Sequence, residues 1–148
     1  SDVPTTAEAQ RIADEAANLC DIDGTAWLAE CARLRESGLA SQHQTGSVHF
    51  FYLNDGCFCG LPEEIFCEIA LLASSRVPAP YFFLNGYTDG CTGYLPHGQE
   101  WLKGGYEILY SYLQYYPFHG HVMPFQQDTA DHIVDLVCAE WQRVLSTE

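Results

Sequence analysis

The sequence predicts an α/β or α+β domain: a small mixed sheet containing a β-hairpin, packed by about four to five helices. Two observations carry this. Apolar residues recur at helical spacing near both ends of the chain, and between them lies an aromatic, β-branched run followed by the turn Asn54-Asp55-Gly56. A length of 148 residues fits one domain, 1–148, with enough chain to bury a core.

The elements follow in order. Thr5 and Glu8 form a capping-box pattern, and Ile12, Ala13, Ala16 and Leu19 then fall on one helical face. Asp23 is placed to cap a second helix that presents Trp27, Cys31 and Leu34 and stops at Gly38. After the polar stretch from Ser41 to Gly46, Val48–Leu53 reads as a strand, and Cys57–Leu61 as its return across Asn54-Asp55-Gly56. Pro62 suits the first turn of a helix, which would put Glu63 and Glu64 at the positive end of its dipole and continue through Ile65, Ile69 and Leu72. Tyr81–Leu84 reads as a short buried strand. The Gly-rich segment from Asn85 to Gly98 is long for a mere connection, and such loops often carry function. Leu102 to Tyr116 fits helix or strand. Asp128 or Thr129 caps a last helix with Ile133, Val137, Trp141, Val144 and Leu145 on its apolar side.

Composition excludes several functions. A net charge of −14 with only six Lys and Arg repels nucleic acid and anionic membrane surfaces. No apolar run approaches the ~20 residues of a transmembrane helix. Seven cysteines is an odd number, with no C-x-x-C pair, and Cys20, Cys31, Cys67 and Cys138 fall in helical patterns. Buried free thiols in a reducing, cytoplasmic setting are the expectation. Cys57 and Cys59 would share one face of a strand, an arrangement that suits a soft metal but is incomplete by itself.

Nucleophile-elbow, P-loop and dinucleotide fingerprints are absent from the sequence, as is H-E-x-x-H. His119-Gly120-His121 would place two imidazoles on the same side of a strand, as zinc ligands or as ordinary loop histidines. Three stretches stand out together: Gly60-Leu61-Pro62-Glu63-Glu64-Ile65-Phe66, Asp89-Gly90-Cys91-Thr92-Gly93-Tyr94-Leu95-Pro96, and Gly104-Gly105-Tyr106-Glu107. In these the chain resembles the C-terminal part of the catalytic region of the neutral/alkaline ceramidase-like family of zinc amidases. The similarity covers most of Ser47–Leu145 and, more weakly, the first two helices.

The resemblance implies a function. The family holds zinc with two histidines, a glutamate and a tyrosine; the glutamate position falls on Glu64 and the tyrosine on Tyr94. A second tyrosine that assists at the scissile amide falls on Tyr106. Read without the resemblance, Glu64 is a helix-start carboxylate, and Tyr94 and Tyr106 are packing aromatics. The chain departs from the family at Glu63, where a small residue is usual, and at Asp89, where asparagine is usual. Nothing before Ser47 resembles the part that supplies the histidines. The expectation is therefore a partial zinc site that is inactive alone, completed by the N-terminal half of a hydrolase or by an oligomeric partner. The competing expectations are a non-catalytic binding or interaction domain of the same fold, and a self-contained metal site of His119, His121 and Glu64.

Overall fold

The structure, a computed structural model, describes residues 1–146. It is a mixed helix–strand architecture with a small mixed sheet and a hairpin, as the sequence predicts. The chain forms two compact units, one of residues 1–45 and 103–126, the other of residues 46–102 and the chain from 127 onward.

The first unit is helical. α1 (Thr6–Cys20) is capped by Thr5, whose hydroxyl accepts from the Glu8 N–H, and ends at Asp21 in the left-handed region (φ 54°). The expected face holds for Ile12, Ala13 and Ala16, which are buried, but Leu19 is 71% exposed, and Cys20 packs against the core in its place. α2 (Thr25–Glu36) follows, with the Asp23 carboxylate accepting from the Thr25 N–H and hydroxyl. It buries Trp27, Cys31 and Leu34 against α1. The ambiguous stretch after Leu102 becomes a π-helical turn (Tyr106–Tyr110) running into α5 (Ser111–His119). Gly120, left-handed at φ 77°, ends that helix. His119 and His121 therefore flank a helix terminus, not a strand. The aromatic-rich run Tyr110–Leu113, buried at every position, satisfies either periodicity, and packing on α1 and α2 selects the helix.

The second unit holds the sheet and a short helix, α4 (Gly98–Trp101). β1 (His49–Leu53) and β2 (Gly56–Gly60) pair antiparallel across Asn54-Asp55, with Asn54 at φ 50°, a conformation asparagine tolerates. A crossover through α3 (Cys67–Arg76) brings β4 (Tyr81–Asn85) parallel to β2, giving the order β1-β2-β4. Tyr52, Cys57, Cys59 and Leu84 face the layer formed by α3 and α6 (Thr129–Leu145). Ile69, Ala73, Val134, Val137 and Trp141 are buried there. Asp128 stands at the start of α6 without a side-chain cap, Ile133 and Val144 are half-buried, and the expectation for the Leu145 side chain lies outside what the structure describes.

One expectation is overturned. No helix begins at Pro62. Glu64–Ile65 form a two-residue strand, β3, parallel to β5 (Tyr94–Leu95), and α3 starts only at Cys67. The Glu64 N–H donates to the Gly93 carbonyl and the Phe66 N–H to that of Leu95, so these amides are satisfied by chain some thirty residues on. Local helix signals lose to that long-range pairing.

Candidate functional site

Gly86 makes the β3–β5 region possible. A Cβ there would sit 2.5 Å from the Glu63 carbonyl and 3.1 Å from the Ile65 nitrogen. Only a glycine lets the chain leaving β4 pass so close to β3, where the Tyr87 N–H donates to the Glu63 carbonyl. Tyr87 (φ 55°) and Asp89 (φ 60°) then take left-handed conformations, unusual for residues with side chains, and Gly90 and Gly93 follow at φ 151° and 101°. Gly86→Ala is expected to cost about 2–3 kcal/mol in chemical denaturation, since the new methyl meets backbone that cannot rotate away. Gly46→Ala, whose Cβ would meet nothing nearer than 3.8 Å, should cost little, and equal losses in both would contradict the argument.

The turn brings Glu64 and Tyr94 opposite each other as direct partners in the parallel ladder. Neighbouring strands lie about 4.8 Å apart, so both side chains leave the same stretch of sheet. Both are half-buried. The Tyr94 ring meets Phe66 edge-on at 6.5 Å. Tyr87 donates its hydroxyl to the Glu64 carboxylate, which pushes the Tyr87 phenol up to about 12. Glu63 is buried, and its carboxylate accepts from the Thr92 hydroxyl at 3.1 Å. Tyr87 and Thr92 were missed from the sequence. The signal for Tyr87 was its place directly after Asn85-Gly86, a dipeptide that marks turns.

A carboxylate and a phenol are oxygen donors of the kind zinc and other divalent cations accept. Their position on paired strands fits two ligands of one ion. Structural and catalytic zinc sites take at least three protein ligands, and among the described residues no group of three or more His, Cys, Asp or Glu gathers. Glu64 and Tyr94 thus fit part of a metal site.

Tyr106 belongs to the helical unit. It opens the π-helical turn after Gly104 and Gly105, both at positive φ, and packs on the α1–α2 core. Burial, then the neighbouring Tyr115, raises its pKa. In the same unit the rings of His119 and His121 lie 5.9 Å apart, with Tyr112 against both. His121 places Nδ1 2.6 Å from the Met123 carbonyl. Burial holds His119 down to about 4 and lowers His121 also. Glu64 is in the other unit, so the set His119, His121 and Glu64 is not assembled within either one. Burial pushes Cys59 up to about 12 and raises Cys57, which keeps these thiols protonated and disfavours a thiolate metal pair.

No family model matches this chain, and no curated protein and no solved structure matches it either.

Proposed function

We propose that this chain supplies Glu64 and Tyr94 to the zinc site of an amide hydrolase resembling the neutral ceramidases, the remaining ligands coming from an N-terminal half or a partner. The observation that supports this most is the direct pairing of Glu64 with Tyr94 across β3 and β5. The motif resemblance names the same two residues on other grounds. Zinc in such a site polarises the amide carbonyl and activates water. Glu64 supplies a carboxylate that accepts from the Tyr87 hydroxyl, and Tyr94 supplies a phenol in edge-on contact with Phe66.

The test is a zinc titration of the chain with imidazole present in place of the missing histidines. Wild type should bind, Glu64→Gln and Tyr94→Phe should each weaken binding about tenfold or more, and the double variant should bind no tighter than either single one. Loss of zinc binding in His119→Ala with none in Glu64→Gln would overturn the reading. The exposed aromatic face of the β1-β2-β4 sheet favours a second reading, an interaction domain without catalysis. Under that reading neither substitution at Glu64 nor at Tyr94 changes any metal response.

A further inference from the structure

The outer face of the β1-β2-β4 sheet is apolar and, apart from Thr88 lying over Gly60, uncovered among the described residues. Phe51, Phe58 and Phe83 stand in one cross-strand row by register, with Phe58 stacked on Phe83 at 5.1 Å and 6.3 Å from Phe51. The row on one side of it holds Leu53, Gly56 and Tyr81, and the row on the other side holds His49, Gly60 and Asn85. The five large apolar side chains are 61% (Phe51), 58% (Leu53), 39% (Phe58), 62% (Tyr81) and 50% (Phe83) exposed. None of the nine positions is Asp, Glu, Lys or Arg, in a chain of net charge −14. The single imidazole is His49 at a corner, 3.7 Å from the Asp89 carboxylate. A contiguous apolar surface of this kind marks an interaction site.

We infer that this face pairs with the same face of a second copy, forming a twofold sheet-on-sheet dimer. The face is self-complementary: a twofold axis near Phe58 sets each phenylalanine row across the other, with the sheets about 10 Å apart in the aligned packing of sandwiches. The phenylalanine row at the centre carries no charge, so two strongly acidic chains meet there with the Asp89 carboxylate confined to the His49 corner. The five side chains leave about 500 Å² open per copy, given roughly 200 Å² for a large side chain. Two copies therefore bury about 1,000 Å², the lower bound for a specific interface, so the dimer is weak and reversible. Repulsion between two chains of −14 opposes it and is screened by salt, so the dimer tightens as ionic strength rises. This inference is independent of the metal reading, because no member of the face is a proposed ligand.

Analytical ultracentrifugation over a concentration series, at low and at high sodium chloride, tests it. The expected result is a reversible monomer–dimer equilibrium whose dissociation constant falls several-fold at high salt. Phe58→Lys and, separately, Tyr81→Lys at the more exposed rim should each raise that constant tenfold or more with an unchanged circular dichroism spectrum. If Phe58→Lys fails to fold, Tyr81→Lys decides alone. Leu71→Ser on α3 and Phe118→Ser on α5, exposed apolar residues off this face, should leave association unchanged. A wild-type chain that stays monomeric at the highest concentration and salt overturns the inference. So does association weakened as much by Leu71→Ser or Phe118→Ser as by the face variants.

Discussion

Trp27→Ala is expected to cost about 4 kcal/mol, a large share of the 5–15 kcal/mol that holds a typical domain folded. Trp27 is fully buried, and it sits among Ile12, Ala16, Cys31 and Leu113 in a core cluster of the helical unit. Its indole N–H also donates to the Val122 carbonyl at 2.8 Å, tying α2 to the segment after α5. Truncation removes the largest side chain of that core and leaves a buried carbonyl without its donor, so a cavity penalty and a desolvation penalty fall together. Trp27→Phe keeps most of the volume and loses the hydrogen bond. It should cost about 1–2 kcal/mol, which separates the two contributions. Urea denaturation of all three proteins checks this, and a loss under 1 kcal/mol in Trp27→Ala would contradict the packing account.

Acid should destabilise the chain before its carboxylates titrate. Burial, reinforced by the neighbouring His121, lowers His119 from 6.5 to about 4. The sign follows from the unfolded chain, in which the imidazole regains its ordinary pKa. Between about pH 6.5 and 4 the unfolded state binds a proton that the folded state does not, so stability is full above 6.5 and is lost as pH falls toward 4. One pKa unit corresponds to about 1.4 kcal/mol, and with allowance for the partial exposure of His119 the loss is about 2 kcal/mol. His121 is shifted in the same direction by burial and adds to it. The measurement is the urea midpoint at pH 7.5, 6, 5 and 4.5 in wild type and His119→Gln. The variant should show a shallower fall over this range, and an identical fall in both would place the acid sensitivity elsewhere.

Parts of this fold are written locally, and those were legible. The Thr5 cap of α1 and the Asn54-Asp55 turn each depend on side chains within a few residues, so the hairpin and the first helix could be read directly. β3 was not legible. Glu64 carries helix-start signals, and what makes it a strand is Tyr94 and the close approach allowed by Gly86. The outer sheet face was hidden for another reason. His49-Phe50-Phe51-Tyr52-Leu53 is aromatic on both sides of the strand, so alternation does not say which side meets the helices. At the candidate site, Glu64 and Tyr94 were found through the motif resemblance and not through any local pattern. Tyr87 was passed over because its tie to Glu64 exists only once the loop folds back.

The central claim is that Glu64 and Tyr94 are ligands of one metal ion. Its most direct test is an anomalous-scattering map from crystals grown with zinc and imidazole. The account predicts a zinc peak within about 2.0–2.2 Å of a Glu64 carboxylate oxygen and of the Tyr94 hydroxyl, with imidazole completing the shell. A zinc peak at His119 and His121, with the Glu64–Tyr94 pair empty at saturating metal, would contradict it.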